Sequence, residues 1–310
     1  MHAYRVVLRA EIMKLWGLNC DSDLALVQGF PHAFNLSAFK PDILRFPGGT
    51  WSNFYDWRSG WARPGYLEFA DAPYSKGKSF KLEDFARMFP PPMRVLWTLN
   101  IVTDSLISQL DMLHHAVSLG YVIEFIELGN EVNPGNGGPS GRAWPTSKAY
   151  MAEMNVWIAA LKREFPKAKV AVQGSWEDGW NARLSGKFDA VTLHVYSENH
   201  GNDGDIEFAV RDFNMRMKEY ISTIPSKKPV WVTEYGSSSW VNGAWGQQQG
   251  THAQAEIQKR LRIEMQNNKR VEIAILHTMC GIHADSYGLY NGFYGNPPDA
   301  LTQFGAMMAQ

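Results

Sequence analysis

The sequence predicts an α/β fold, a single (β/α)8 TIM barrel spanning residues 1–310, and three observations carry that expectation. Eight short runs rich in Val, Ile, Leu and aromatic residues alternate with stretches of helical period, the pattern of βα units around a parallel sheet. The connections are unequal: those after the second, fourth, seventh and eighth runs are long and rich in Gly, Pro and aromatics, while helix-to-strand returns such as 225–229 are short. Loops elaborated on one face are what a barrel with its site at one mouth would show. Finally, no repeat, charge block or low-complexity tail marks a domain boundary, and barrels of about 250 residues or more commonly form one domain.

The predicted strands are Met13 to Asn19, Ile43 to Phe46, Arg94 to Asn100, Phe125 to Gly129, Lys169 to Gly174, Ala190 to Tyr196, Val230 to Tyr235 and Glu272 to His277. Helical periodicity falls on Leu24 to Leu36, Leu82 to Met88, Leu106 to Leu119, Ser147 to Phe165, Trp176 to Leu184, Ile206 to Ile224, His252 to Gln266 and Ala300 to Met308. Helices are expected to stop before Gly120, which accepts a left-handed cap, and before Pro166, which cannot continue a helix.

Composition narrows the function. Thirty Lys+Arg balance 31 Asp+Glu, a formal net charge of −1, so the chain lacks the positive field that holds a phosphate backbone and nucleic acid is not an expected partner. No run approaches the roughly 20 apolar residues that cross a bilayer, and Met1 to Glu11 lacks the apolar centre of a signal peptide. Two cysteines, Cys20 and Cys280, build neither a disulfide framework nor a four-thiolate metal site. Closure of a barrel would bring their segments together, so a single bridge is one expectation and two buried thiols the other.

Two strand ends carry chemistry. The fourth run reads Glu127-Leu128-Gly129-Asn130-Glu131-Val132-Asn133, an apolar strand ending in amides and carboxylates; the seventh reads Val230-Trp231-Val232-Thr233-Glu234-Tyr235-Gly236. Strands four and seven face each other across a closed barrel, so both carboxylates would project into one pocket. Cleavage of a glycosidic bond needs such a pair, one to protonate the departing oxygen and one to attack or stabilise the anomeric carbon.

Leu44-Arg45-Phe46-Pro47-Gly48-Gly49, Leu128-Gly129-Asn130-Glu131 and Thr233-Glu234-Tyr235-Gly236 resemble the clan of retaining glycoside hydrolases whose catalytic glutamates follow strands four and seven. Within it the chain is most similar to heparanase/β-glucuronidase-like and α-L-arabinofuranosidase-like groups. The resemblance implies Glu131 as general acid/base, starting the cycle protonated, Glu234 as nucleophile, and Asn130 as donor to a sugar 2-hydroxyl. It places Arg45 beside the nucleophile, matches His194 and Tyr196 at the end of strand six, and leaves Tyr196 or Tyr235 to hydrogen-bond the nucleophile. No cofactor and no metal are expected; a metal site built from His194, His277 and Asp285, with His283 nearby, fits no zinc spacing. His277 is instead expected to hydrogen-bond sugar or a neighbouring carboxylate.

Substrate is expected to be an oligo- or polysaccharide, cut internally. Aromatic residues crowd the long loops: Trp51, Phe54, Tyr55, Trp57, Trp61 and Tyr66 after strand two, Trp144 after strand four, and Trp240 and Trp245 after strand seven; Trp176, which opens the helical stretch after strand five, is a further substrate-binding candidate. Their faces suit stacking on sugar rings, with about half expected to be packing instead. Arg45, Arg58, Arg63 and Arg142 are candidates for pairing with a uronic acid carboxylate. Relatives of this clan carry a β-sandwich after the barrel, and this chain is expected to lack one, since it runs out at its eighth helix.

Overall fold

The computed structural model describes residues 14–20, 39–63, 79–136, 140–141, 143–177, 179–198, 206–224, 227–238 and 252–279, with a few isolated positions besides. Eight parallel strands close a barrel: β1 (Leu15–Asn19), β2 (Ile43–Phe46), β3 (Val95–Leu99), β4 (Phe125–Leu128), β5 (Lys169–Gln173), β6 (Ala190–Glu198), β7 (Val230–Ser238) and β8 (Val271–Leu276). Each strand pairs with its neighbours in chain order, and β8 closes on β1. The described helices are α1 (Leu82–Met88), α2 (Leu106–Ser118), α3 (Ser147–Glu164), α4 (Ile206–Ser222) and α5 (His252–Asn267).

Helix starts follow from their caps. Ser105 and Thr146 accept from the backbone N–H groups of Ser108 and Ala149, each at 3.2 Å, answering one of the donors that a helix N-terminus leaves unpaired. One predicted helix does not form: among its described residues, 176–184 holds only a 3-10 turn, Asn181–Arg183. The competing force is the Asn181 side chain, which accepts from Ser175 N–H at 2.9 Å and donates to Ser175 O at 2.7 Å, tying the segment into a turn. The predicted helix 24–36 and most of 300–308 lie outside the described residues, and among the described residues no helix is long and apolar enough to cross a membrane.

Strand alternation sorts side chains between two cores. Outward-facing residues such as Leu44, Phe46, Trp97, Ile126 and Val172 pack beneath the helices, where Phe46 stacks on Phe85 of α1 at 4.2 Å between ring centroids. Inward-facing Leu15, Ile43, Leu96, Phe125, Ala171, Ala190, Trp231, Ile273 and Ile275 form a separate apolar layer that plugs the barrel. Gly17 belongs to this interior by necessity, because a Cβ there would lie 2.1 Å from the Ile43 carbonyl oxygen.

Two residues further along five of these strands, the interior turns polar. Arg45, Thr98, Glu127, Thr192 and Thr233 are all fully buried. On β7 the alternation breaks at this level. Val232 pairs with Leu193 while Glu234 pairs with His194, and on the other side Val232 pairs with Ala274 while Tyr235 pairs with Leu276. The extra residue is a β-bulge, and it lets Thr233 and Glu234 both face inward before Tyr235 returns to the outer core.

Candidate active site

The residues that end β4 are held by their backbones. Asn130 N–H donates to Asn53 Oδ1 at 3.0 Å, and Asn53 Nδ2 returns a bond to Asn130 O at 2.6 Å, so an amide side chain continues the pairing where the strand stops. Gly129 has φ 82°, and Glu131 follows at φ 45°. A left-handed conformation is strained for a residue with a side chain, and it re-aims the Glu131 carboxylate away from the strand direction. Gln173 of β5 accepts from Glu131 N–H at 3.3 Å.

Glu234 arrives from β7 into a basic surround. Arg45 Nη1 donates to its Oε1 at 2.7 Å, and the Tyr196 hydroxyl donates to its Oε2 at 2.6 Å. Nδ1 atoms of His194 and His277 each lie 3.6 Å from Oε2. Burial by itself would raise the pKa of Glu234, but the charges of His194, His277 and Arg45, together with the Tyr196 hydrogen bond, outweigh it. The carboxyl is held well below the usual carboxylate range and is ionised across neutral pH.

Arg45 is the hub. Besides Glu234, its guanidinium donates to Glu127 Oε2 at 2.6 Å, to Asn19 Oδ1 at 3.0 Å and to Asn130 Oδ1 at 2.8 Å. A rigid planar fork suits such divergent acceptors, and the two carboxylates hold the buried charge in place, raising the Arg45 pKa despite desolvation. Asn19 Nδ2 in turn meets His277 Nδ1 at 3.0 Å.

His194 links the two strand-end glutamates. Its Nδ1 lies 2.8 Å from Glu131 Oε1, and its Nε2 lies 3.2 Å from Thr233 Oγ1. Burial lowers its pKa, yet Glu234 and the bonded Glu131 more than compensate, and the net shift is upward. One donor atom each from Glu131, His194 and Glu234 falls within a span of 4.8 Å, so the two carboxylates approach each other closely across the barrel mouth. That spacing would also suit a divalent cation. Arg45 already supplies positive charge 2.7 Å from Glu234, and its repulsion opposes a second cation there.

The structure thus brings together Glu131, Glu234, Arg45, Asn130, His194, Tyr196 and His277. Other candidates lie elsewhere. Tyr235 is fully buried on the outer side of β7, where its hydroxyl accepts from Trp16 Nε1 at 2.9 Å, so of the two tyrosines it is Tyr196 that bonds Glu234. Trp51 is 4% exposed and packs against Tyr55 at 4.6 Å, inside the aromatic cluster behind β2. Phe54, Tyr55 and Trp144 are buried as well, whereas Trp176, at the C-terminal end of β5, is 42% exposed. Arg58 is engaged by Ser108 and Asp111 of α2, and Arg63 by Asp104 just before that helix. Trp240 lies in a two-residue strand paired with Ala244–Trp245, and its side chain is outside the described residues, as are Arg142, Cys280, His283 and Asp285.

Glu127, Thr233, Asn19, Asn53 and Gln173 complete the arrangement without having been singled out in the sequence. Glu127 did leave a signal: a charged residue two positions after Phe125, and therefore inward-facing, in a strand otherwise composed of buried apolar residues.

Comparison with known proteins fits this geometry. A family model described as glycosyl hydrolase catalytic core matches residues 130–306. An α-L-arabinofuranosidase from Thermotoga maritima, solved with arabinose, superposes with a TM-score of 0.70 at 16% identity, over 96% of this chain and 69% of that one. A 4-O-α-L-rhamnosyl-β-D-glucuronidase from Fusarium oxysporum 12S gives 0.58 at 16% identity, over 95% and 69%. An FMN-binding β-glucuronidase from Facaelibacterium prausnitzii L2-6 gives 0.59 at 13% identity, over 97% and 44%. At these identities the solved structures share the barrel fold. No curated protein matches the chain in sequence. The family match runs from Asn130 at the end of β4 across more than half of the 310 residues, and the chain belongs to the glycosyl hydrolase catalytic core family, an O-glycosyl hydrolase acting on carbohydrate.

Proposed function

We propose that the chain cleaves a glycosidic bond in an oligo- or polysaccharide with retention of configuration, Glu234 acting as nucleophile and Glu131 as general acid/base. The observation that carries this reading is the approach of the two carboxylates, with oxygens within 4.8 Å of each other. Retaining sites hold their carboxyl groups about 5–5.5 Å apart, whereas inverting sites need about 6.5–9.5 Å to admit a water.

The division of labour follows from surroundings. Glu234, ionised and aimed by Arg45 and Tyr196, is suited to attack the anomeric carbon as the bond to the leaving oxygen breaks and Glu131 gives that oxygen its proton. Water then attacks the same carbon, the bond to Glu234 breaks, and Glu131 takes the proton from the water. Asn130, held by Asn53 and Arg45, would present its amide N–H to the sugar 2-hydroxyl.

Endo action is supported by the exposed Trp176 at the barrel mouth, which would offer its face to a second sugar ring. Because neighbouring folds include arabinofuranosidases and glucuronidases, the substrate panel begins with α-L-arabinofuranosides and β-D-glucuronides, each as aryl glycoside and as polymer. Product anomers followed by NMR during the first minutes should keep the configuration of the substrate. Azide should rescue Glu131→Ala on an activated aryl glycoside. Near-normal turnover by Glu234→Ala would sink the assignment.

A further inference from the structure

We infer that Glu127 and Thr233 lock His194 as its Nε2–H tautomer, so that Nδ1 of His194 shares a single proton with Glu131. The inference rests on the proposed acid/base role of Glu131, and it makes Glu127 and Thr233 positioning residues for that step.

The argument is a count of protons. Glu127 lies fully buried on β4, and donors face both of its oxygens: Arg45 Nε at 2.6 Å and Thr98 Oγ1 at 2.9 Å on Oε2, and Thr233 Oγ1 at 2.7 Å on Oε1. Ion-paired to Arg45, it is a carboxylate that only accepts. A threonine hydroxyl has one proton, and Glu127 takes the one on Thr233. Toward His194 the same oxygen can therefore only accept, so Nε2 at 3.2 Å must carry a hydrogen.

That leaves Nδ1, 2.8 Å from Glu131 Oε1, and this contact has room for one proton, written either as N–H facing a carboxylate or as N facing a carboxylic acid. The alternative tautomer would be harmful. A neutral imidazole with its hydrogen on Nδ1 would donate to the Glu131 carboxylate and stabilise the form that has no proton to give. With the lock in place, the pair enters the cycle holding one transferable proton. It loses that proton to the leaving oxygen, becoming a carboxylate beside a neutral imidazole, and regains one from the attacking water.

Among the described residues, the charged and titratable groups around His194 are Glu131 after β4, Glu234 on β7, Arg45 on β2, and, one step away, Glu127 behind Thr233 and His277 beside Glu234. The acidic neighbours favour a protonated imidazole and Arg45 opposes it; the tautomer itself is set by Thr233.

Long-range 1H–15N correlation spectra of the full chain, labelled at histidine, read the tautomer directly, with His194 assigned by its loss in His194→Gln. Wild-type His194 should show the Nε2–H pattern on the alkaline side of its titration, and Thr233→Val should release it to Nδ1–H while Thr233→Ser keeps it. Kinetics on paired aryl glycosides of the sugar found active supply the second reading. Thr233→Val should lose about tenfold or more in kcat with a phenyl leaving group but less than about threefold with 4-nitrophenyl, because only the poorer leaving group needs its proton. KM should hold, the alkaline limb of the pH profile should move to lower pH, and Thr233→Ser should restore both.

A neutral wild-type His194 found as Nδ1–H overturns the inference, and so does a Thr233→Val variant with unchanged tautomer and equal losses on both substrates. If Thr233→Val fails to fold, the wild-type spectrum decides alone. Failure of azide to rescue Glu131→Ala would instead strike the acid/base assignment and leave the tautomer result standing.

Discussion

Two layers of the same barrel, one inward-facing residue apart on most strands, are built on opposite principles. The lower holds Leu15, Ile43, Leu96, Phe125, Ala171, Ala190, Trp231, Ile273 and Ile275, a plug with no charge in it. The upper holds Arg45, Glu127, Thr98, Thr192 and Thr233, and above them Asn19, Asn130, His194 and Glu234, all buried and mostly bonded to one another. Apolar burial at about 25 cal/mol per Å² stabilises the lower layer without any demand on geometry beyond fit. In the upper layer each charge taken from water has to be met by a partner, and removing one partner strands the other. Apolar burial is concentrated in the lower layer, and the layer proposed to perform chemistry depends on its neighbour to hold the strands in place.

Substitutions in the two layers should separate these roles. The largest effect is expected for Glu234→Gln, which should cut kcat by roughly 10⁴-fold or more if Glu234 is the nucleophile proposed above, while circular dichroism stays native. Arg45→Met should unite the two kinds of damage. It leaves Glu127 and Glu234 buried without their cation, at a cost of about 3–5 kcal/mol in denaturant unfolding, with activity lost in the fraction that folds. Ile273→Ala, in the lower layer, should cost about 2–5 kcal/mol yet leave kcat per folded molecule close to wild type. Equal damage to kcat from Ile273→Ala and from Glu234→Gln would abolish the distinction between the layers.

The smallest effect is a pH dependence. Burial lowers the pKa of His194, but Glu234 and Glu131 win and the folded value lies above the unfolded one of about 6.5. A raised pKa contributes stability that is fully present below about pH 6.5 and is lost as pH rises through the folded value. The melting temperature of wild type minus that of His194→Gln should therefore be greatest near pH 6 and shrink toward alkaline pH. A difference that widened with rising pH would show that the upper layer is not held by these charges.

Much of this was legible in the chain. Ile43 to Phe46 and Leu82 to Met88 form with the predicted bounds, and the other barrel strands differ only at their ends, because strand and helix periods depend on local pattern. The helix expected over 176–184 failed for an equally local reason, the Asn181 side chain competing for the backbone of Ser175. Glu131 and Glu234 stood out because carboxylates at the ends of apolar strands are exceptions to their surroundings. Trp51 and Tyr235 did not distinguish themselves from mouth residues, since an aromatic ring has the same composition whether it faces a sugar or packs behind a strand.

By itself, the order of residues determined the eight-strand barrel, the position of each strand within it, and the two strand ends that carry acid. Only the tertiary structure decided that a bulge turns Thr233 and Glu234 inward together, that Arg45 spans Glu127 and Glu234, and that His194 stands between Glu131 and Thr233. Periodicity is written in neighbouring residues, whereas a hydrogen-bond network joins atoms more than 80 positions apart, and its directions exist only once the barrel has closed around them.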